Sequence, residues 1–337
     1  MKILRYILFP VMPFYYLITW LRNLLYDLGI KKSKSYPFPV ICVGNLSVGG
    51  TGKTPMIEYL IGVLKDDFKV ATLSRGYKRK TKGFQLGDDQ ASAEIIGDEP
   101  FQFYNKFKDE VLVAVDADRQ NGIQQLQNLP NAPEVILLDD AYQHRKVKAG
   151  FNILLTTYQT PYFSDWVLPT GNLREPRRGV NRADIIVVTK CPENLSDIDK
   201  KKVLKRINSK ENQDVFFSRI VYSNMLISAE KTMAVNMLRS FTLVTGIANP
   251  KPLVCFFNDK NLKFEHLNFK DHHEFSQEDI NVFSTKEVIV TTEKDFARLK
   301  CYPGLKNKLF YLPITVAFDD EPRLCAIVKA MVNSYEK

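Results

Sequence analysis

The sequence predicts an α/β fold in which a mostly parallel sheet is flanked by helices. Residues 40–43 form a short apolar run rich in β-branched side chains, which is typical of a strand buried on both faces. Several similar runs follow, and segments with helical apolar spacing lie between them. This alternation indicates parallel strands joined by helical crossovers. The length of 337 residues is sufficient for two domains.

A glycine-rich turn follows the first strand and leads directly into a helix. Residues 38–64 have the sequence FPVICVGNLSVGGTGKTPMIEYLIGVL. A strand, a glycine-rich turn, a Lys-Thr pair and a helix are the parts of a phosphate-binding loop, in which backbone N–H groups surround phosphate. We expect Lys53 to reach the terminal phosphates and the Thr54 hydroxyl to hold Mg²⁺. The expected loop residues are Ser47, Val48, Gly49, Gly50, Thr51 and Gly52.

One position of this loop departs from the usual pattern. Ser47 stands where such loops have glycine, while residues 49–54 follow the pattern. The alternative interpretation is a glycine-rich turn with a helix-capping threonine. Because the strand and the helix both fit the phosphate-binding arrangement, we predict a fold of the P-loop NTPase type.

Two acidic residues follow a later strand of the same predicted sheet. Strand 134–138 is followed by Asp139 and Asp140. An apolar strand that ends in aspartate, downstream of a phosphate-binding loop, is the arrangement whose carboxylate reaches Mg²⁺ directly or through water. Asp139 and Asp140 are therefore candidate metal ligands. The other strands predicted for this sheet are residues 69–73, 111–115, 151–156, 184–189 and 215–222.

Polar loops supply the remaining candidates. Asp98 precedes a predicted helix, where it either caps the helix or places a carboxylate at the edge of the sheet that carries sites. Arg174 and Glu175 suit phosphate oxygens and a metal respectively, unless they form a surface ion pair. His144 is interpreted as a hydrogen-bonded structural imidazole. Residues 189–193 resemble a guanine-binding loop only loosely, which favours ATP.

Three parts of the chain differ in composition and pattern. We predict an N-terminal segment at residues 1–30, a phosphate-binding domain at residues 31–222 and a smaller α/β domain at residues 223–337. A ribbon that links the two domains begins the last part. The strands predicted there are residues 241–247, 264–269, 287–292 and 309–316, and a helix at residues 321–332 closes the chain.

The N-terminal segment is apolar and aromatic. The uncharged stretch between Arg5 and Arg22 contains two prolines and is too short to span a bilayer. No small-residue cleavage site follows, which argues against a signal peptide. We predict a helix in the membrane interface, with Tyr15, Tyr16 and Trp20 among the headgroups and the basic residues against anionic lipid. The alternative is a helix packed on the domain's own core.

The net charge limits the classes of partner, and the cysteine content indicates the redox compartment. The formal net charge of +9 indicates nucleic acid, anionic lipid or a phosphorylated substrate. The chain has no basic strand with interleaved aromatic residues, so we do not expect nucleic acid. The five cysteines include no C-x-x-C pair, which predicts no disulfides and a reducing compartment.

Eight motifs follow one another along the chain: VGNLSVGGTGKTP (43–55), SRGY (74–77), GDEP (97–100), DADR (116–119), LLDDAYQHR (137–145), LPTGNLREP (168–176), DHH (271–273) and TTEKD (291–295). Their order and spacing resemble the tetraacyldisaccharide 4′-kinase family of lipid A biosynthesis over nearly the whole chain. Ser47 in place of glycine matches the family's own usage. Tyr142 and Asn172 are variants within otherwise matching motifs.

The resemblance implies a kinase that uses ATP and Mg²⁺. It would transfer the γ-phosphoryl group to the 4′-hydroxyl of tetraacyldisaccharide 1-phosphate, forming lipid IVA at the cytoplasmic face of the bacterial inner membrane, as a peripheral protein. The resemblance also implies that Asp98, alone or paired with His272 of the second domain, accepts the hydroxyl proton. Arg174 would neutralise charge on the transferring group beside Lys53. The implied metal ligands are Thr54, Asp139, Asp140 and Glu175.

A membrane-associated P-loop ATPase that acts as a switch or assembly factor is the alternative function. It would share the phosphate-binding loop, the acidic strand end and the basic surface. It would not need a base from a second domain, and it would release free phosphate. The oligomeric state is not predicted by any feature of the sequence.

Overall fold

The computed structural model describes residues 5, 7–271 and 273–335, and it confirms the predicted α/β fold. The chain divides into two compact units. The first unit comprises the chain up to Ile220 and again from Val316 onward, and the second comprises Val221–Thr315. The chain therefore leaves the first unit once and returns to it.

The first unit is built on one large sheet, which has nine strands in the described part of the chain. The strands are β1 Val40–Asn45, β2 Val70–Ser74, β3 Gln85–Leu86, β4 Val111–Val115, β5 Val135–Asp139, β6 Phe151–Thr157, β7 Ile185–Thr189, β8 Asp214–Tyr222 and, late in the chain, β15 Ile314–Phe318. Their order is β15-β8-β7-β6-β1-β5-β2-β4-β3. The run from β8 to β4 is parallel, and β3 pairs antiparallel with β4.

Helices cover this sheet. They are α1 Met12–Asp27, α2 Lys53–Leu64, α3 Ala93–Ile96, α4 Asp98–Phe107, α5 Arg119–Gln127, α6 Asp197–Ile207 and, closing the chain, α10 Glu321–Asn333. Single 3-10 turns occur at Phe9–Val11, Lys108–Glu110, Tyr162–Ser164 and Arg177–Arg182. All six residues of β1 are buried, and alternate β1 side chains belong to two hydrophobic clusters. Because strand side chains alternate between faces, β1 is covered on both sides, as its apolar composition predicts.

The end of the chain lies in the first unit, whereas the sequence predicted residues 223–337 as one domain. β15 is the neighbour of β8 at the edge of the large sheet. Helix α10 buries Leu324, Val328 and Val332 in the core of the same unit. The single strand predicted at residues 309–316 is in fact two strands, one in each unit. An apolar strand pattern does not indicate which sheet the strand will join, so this return was not predictable.

The second unit is a smaller α/β sheet. Its strands are β9 Met225–Ile227, β10 Thr232–Ala234, β11 Ser240–Thr245, β12 Lys263–Asn268, β13 Ile289–Thr291 and β14 Leu309–Tyr311, in the order β10-β9-β14-β13-β11-β12. Its helices are α7 Lys251–Asp259, α8 Gln277–Ser284 and α9 Glu293–Leu299, with 3-10 turns at Val235–Met237 and Pro303–Leu305. The four strands from β14 to β12 are parallel. This arrangement places the ends of β11 and β13, and the loops that follow them, side by side.

Helix α1 has an inverted distribution of polar and apolar side chains. Its buried residues are Met12, Thr19 and Asn23. Phe14 and Ile18 point away from the unit and are 69% and 67% exposed. A helix that packs on a protein core normally buries its apolar face instead. No helix among the described residues has the length and hydropathy needed to cross a bilayer.

Candidate active site

The phosphate-binding loop lies between β1 and α2, as predicted. Gly49 and Gly52 have φ angles of +108° and +94°, in the left-handed region that favours glycine. The Asn45 side-chain amide donates to the Thr51 hydroxyl at 2.8 Å, and the Thr189 hydroxyl donates to the Thr51 carbonyl at 2.7 Å. The end of the loop is therefore fixed to β1 and β7, while Val48, Gly49 and Gly50 are exposed.

Ser47 has a structural reason for not being glycine. It forms an antiparallel bridge with Leu173, flanked by two backbone hydrogen bonds between the loop and the 172–174 segment. The Val48 N–H donates to the Asn172 carbonyl at 2.8 Å, and the Arg174 N–H donates to the Leu46 carbonyl at 2.7 Å. Extended pairing of this kind needs no positive φ, so a side chain is tolerated at position 47. The pairing also attaches the 172–174 segment to the phosphate-binding loop.

Two cations converge on Asp140 at the end of β5. The Lys53 ammonium lies 3.7 Å from Asp140 Oδ1. The Arg174 guanidinium donates to both Asp140 oxygens, at 2.9 and 3.1 Å. Burial acts to raise the pKa of Asp140, but the positive charges of Lys53 and Arg174 outweigh it and hold that pKa below its usual value. The structure therefore brings together three of the predicted site residues.

Asp139 precedes this cluster and is in a different environment. It is 2% exposed, and its Oδ1 atom has no hydrogen-bond partner among the described residues. Burial, followed by the negative charge of Glu99, raises its pKa to about 7 against the opposing charge of Lys53. A buried carboxylate with a free oxygen beside a phosphate-binding loop is suited to a cation. The described residues contain no group of three or more His, Cys, Asp or Glu side chains that would hold a metal by themselves.

Asp98 is the first residue of α4, which follows a tightly packed turn. Gly97 has a φ of +94°, and a Cβ there would lie 3.0 Å from the Tyr77 carbonyl oxygen and 3.2 Å from Gly76. The 74–77 and 97–100 motifs are therefore packed together, which explains the glycine before Asp98. Glu99 interacts electrostatically with Asp139, so the start of α4 lies near the end of β5.

Arg119 was not among the predicted site residues, and the structure places it in this region. Its guanidinium is buried and donates to the carbonyls of Asp116 and Asp139, at 2.6 and 3.4 Å. Burial lowers the pKa of Arg119. The DADR motif contained this residue, but only its neighbour in space, Asp139, gives it a function in supporting the site. Glu99 was missed in the same way within the GDEP motif.

Glu175 is not grouped with the two aspartates, although the sequence predicted it as a metal ligand. It is 1% exposed, and both carboxylate oxygens accept hydrogen bonds. Asn23 donates to Oε2 at 2.5 Å, while Gln143 and Arg182 donate to Oε1 at 3.0 and 2.8 Å. The carboxylate thus joins α1 to the loops after β5 and β6. The prediction of a metal ligand did not include these donors, because sequence spacing cannot indicate that a helix near the N-terminus reaches Glu175.

Tyr15 and Arg22, which the sequence predicted at the lipid surface, also contact the loops of the site. The Tyr15 hydroxyl donates to the Arg174 carbonyl at 2.9 Å. The Arg22 guanidinium donates to the Gln143 carbonyl. Tyr16 is exposed, and its contact with lipid headgroups stays a prediction. His144 differs from the expected structural imidazole, since its Nε2 has no hydrogen-bond partner in the described part of the chain. Burial, followed by the charge of Arg119, lowers the pKa of His144.

The DHH motif of the second unit is described only in part. His272 lies outside the described residues. The His273 Nε2 lies 2.9 Å from Asp279 Oδ2, and the His273 ring stacks on Phe269 at a centroid distance of 4.6 Å. Helix α9 of the TTEKD motif contacts the same loop, with Lys294 Nζ 3.4 Å from Asp271 Oδ1. His273 is therefore part of the packing of the second unit, and the motif TTEKD supports the loop.

Comparison with known proteins finds similarity over most of the chain. The family described as tetraacyldisaccharide-1-P 4′-kinase matches residues 4–333. A tetraacyldisaccharide 4′-kinase of Flavobacterium johnsoniae is 53% identical over 323 residues, covering 94% of each chain. The protein of the same name from Bacteroides fragilis is 45% identical over 330 residues, covering 92% of this chain and 88% of the relative. The crystal structure of LpxK from Aquifex aeolicus in complex with ATP is similar with a TM-score of 0.78 and 33% identity, covering 98% of this chain and 99% of that one.

Proposed function

The chain belongs to the tetraacyldisaccharide-1-phosphate 4′-kinase family, and on that premise we propose which residues carry out the transfer. The protein is an ATP-dependent kinase that phosphorylates the 4′-hydroxyl of the lipid A precursor. The observation that carries the assignment of residues is the convergence of Lys53 and Arg174 on Asp140, directly beside the phosphate-binding loop.

Nucleotide binding is assigned to the loop and the two cations. The loop N–H groups other than those of Val48 and Thr51, which donate to protein carbonyls, surround the phosphates together with the N-terminus of α2. Lys53 is a mobile point charge for the terminal phosphates, and the planar Arg174 fork suits the oxygens of the transferring group. Both cations pair with Asp140, so ATP phosphates compete with that carboxylate for them.

Mg²⁺ is assigned to Asp139 and the Thr54 hydroxyl. The buried Oδ1 of Asp139, which has no hydrogen-bond partner in the part of the chain that the structure describes, supports this assignment. Mg²⁺ is characteristically held by one or two carboxylates together with substrate phosphates. When bound, Mg²⁺ neutralises charge on the β- and γ-phosphates. Asp140 acts on the site through its ion pairs with Lys53 and Arg174, which hold the two cations beside the phosphate-binding loop. Glu175 is excluded from this set, because both of its oxygens already accept hydrogen bonds from protein donors.

We assign Asp98 as the group that accepts the proton of the sugar hydroxyl. The residue is half-buried at the start of α4, and its neighbour Glu99 interacts with Asp139. A carboxylate beside the phosphates accepts the hydroxyl proton as the oxygen attacks the γ-phosphorus. His272 of the DHH motif is proposed to assist this base. The proposal for His272 rests on the family resemblance alone.

The acceptor is a lipid, and α1 is proposed to place the enzyme at the membrane surface. Its exposed face carries Phe14 and Ile18, and Leu17 and Leu21 extend the same surface. Such a helix lies in the plane of the interface with its apolar side among the acyl chains. The net charge of +9 favours anionic lipid and the phosphate of the substrate. Because ATP is the donor, we assign the enzyme to the cytoplasmic face of the inner membrane as a peripheral protein.

A product analysis tests this function. The protein is incubated with γ-labelled ATP, Mg²⁺ and tetraacyldisaccharide 1-phosphate in detergent micelles, and label is measured separately in lipid and in free phosphate. We expect label in lipid, and its loss in Lys53→Ala. Label found only as free phosphate, at a rate that does not depend on the lipid, would favour the switch ATPase instead.

A further inference from the structure

The inward face of α1 contacts the segment that holds Arg174. Tyr15, Thr19 and Asn23 follow one another at intervals of four residues and form a polar stripe along the helix. Tyr15 reaches the Arg174 carbonyl, and Asn23 reaches the Glu175 carboxylate. A helix that served only as a lipid anchor would have no need for polar side chains on its protein side.

Further contacts attach α1 to the loop after β5. The Arg22 guanidinium donates to the Gln143 carbonyl. Arg145 donates to the Asn23 carbonyl at 2.8 Å and pairs with Asp27 at 2.7 Å. Gln143 in turn donates to Glu175 at 3.0 Å. The helix is therefore fixed to both loops that border the Asp140 cluster.

The 172–175 segment is held on two sides. On one side its backbone pairs with the phosphate-binding loop through the Val48 N–H and the Leu46 carbonyl. On the other side it accepts the hydrogen bonds from Tyr15 and Asn23. Because Arg174 lies within this segment, loss of the α1 contacts would loosen both the guanidinium and the pairing with the loop.

We propose that α1 is a structural part of the ATP site, in which Tyr15 and Asn23 are positioning residues for Arg174 and Glu175. This inference rests on the proposed function for the role of Arg174. The two faces of α1 then have separate functions: the outward apolar face contacts lipid, and the inward polar face positions the segment that contains Arg174. The two functions are separable by mutation, since they belong to different side chains of one helix.

The experiment pairs an inward variant with a matched outward variant. Tyr15→Phe removes one hydroxyl donor, and Tyr16→Phe removes a hydroxyl from a side chain that is 41% exposed. Asn23→Leu removes the donor to Glu175, and Leu21→Asn changes the apolar outward face. Each variant is assayed for lipid phosphorylation in detergent micelles, for affinity toward a fluorescent ATP analogue, and for co-sedimentation with phosphatidylglycerol-containing vesicles.

We expect Tyr15→Phe to lower the transfer rate about threefold to tenfold, the range expected for one lost hydrogen bond. Asn23→Leu leaves the buried Glu175 carboxylate short of a donor and is expected to lower the rate by about tenfold or more. Both should weaken binding of the ATP analogue and leave vesicle binding unchanged. Tyr16→Phe should retain the wild-type rate and nucleotide affinity, and Leu21→Asn should weaken vesicle binding alone.

A double-mutant cycle separates positioning from general destabilisation. If Tyr15 acts through Arg174, Tyr15→Phe has no further effect on the rate in an Arg174→Ala background. An equal effect in both backgrounds, or wild-type kinetics for Tyr15→Phe and Asn23→Leu, would overturn the proposal. Tyr15→Phe preserves shape and serves if Asn23→Leu does not fold. If the wild type labels no lipid, the proposed function fails, while the nucleotide affinities of Tyr15→Phe and Tyr16→Phe still decide the role of α1.

Discussion

Replacement of Asp139 by Asn should stabilise the ligand-free protein while it abolishes turnover. The pKa of Asp139 is raised from 3.8 to about 7 by burial and by Glu99. At 1.36 kcal/mol per pKa unit, this shift corresponds to about 4 kcal/mol of unfavourable ionisation in the folded state. An amide at this position has no charge to bury. It also lacks the negative charge that a divalent cation requires.

The pH dependence of this effect has a defined sign. The folded protein binds the Asp139 proton more tightly than the unfolded chain, so the stability of the wild type falls as pH rises from about 4 to about 7 and then levels off. The advantage of Asp139→Asn in free energy of unfolding should therefore grow by about 2–3 kcal/mol between pH 5 and pH 8. Denaturant unfolding of the first unit measures it, since Trp20 and Trp166 both belong to that unit.

Asp140→Asn is the matched control. Its carboxylate has a lowered pKa and two cationic partners, so the stability it provides is fully present above the unfolded pKa. The variant should lose this stability at both pH values, and only the smaller contribution of the Asp140 charge to the pKa of Asp139 should differ between pH 5 and pH 8. Asparagine also tolerates the φ of +49° at this position. A difference between Asp139→Asn and wild type that is equal at the two pH values would refute the assigned electrostatics of Asp139.

Two further predictions concern the loop and the lipid surface. Gly52→Ala should destabilise the first unit by about 1–2 kcal/mol and weaken ATP binding, because the φ of Gly52, which directly precedes α2, is +94°. Gly62→Ala within α2, where no described atom would lie within 4 Å of the new Cβ, should be neutral or stabilising in the same denaturant titration. Phe14→Asp combined with Ile18→Asp should reduce flotation with anionic vesicles by at least about tenfold, since both side chains are largely exposed, whereas Ile198→Asp on α6 should float as wild type does. A strained-glycine effect at Gly62, or undiminished flotation of the double variant, would contradict these two accounts.

The local features of this protein could be predicted from its sequence, and the long-range ones could not. The apolar run before Asn45 and the glycines at 49 and 52 specified a strand, a loop and a helix through local geometry alone. The acidic end of β5 was likewise predicted, because parallel strands carry sites at their carboxyl edge. Strand order, and the return of β15 to the large sheet, depend on pairing between distant segments and were not predicted.

The environment of a side chain depends on neighbours in space that the sequence does not reveal. The sequence placed Tyr15 among lipid headgroups, because an aromatic N-terminal segment favours the membrane interface. The helix instead turns Tyr15 inward to the Arg174 carbonyl and leaves Tyr16 exposed. Glu175 was predicted as a metal ligand because it is a carboxylate. In the structure Asn23, 152 residues away in the sequence, donates a hydrogen bond to one of its oxygens. No spacing rule connects such partners, so only the fold could reveal them.

The transfer rate of Asp98→Asn at saturating ATP is the measurement that tests the proposed chemistry most directly. With the acceptor lipid in detergent micelles, label in lipid is followed over time, and the affinity for the ATP analogue is measured in parallel. We predict an unchanged nucleotide affinity and a transfer rate at least about a hundredfold below that of the wild type, the effect expected on removing a general base. A transfer rate close to wild type would contradict the assignment of Asp98 as the group that accepts the hydroxyl proton.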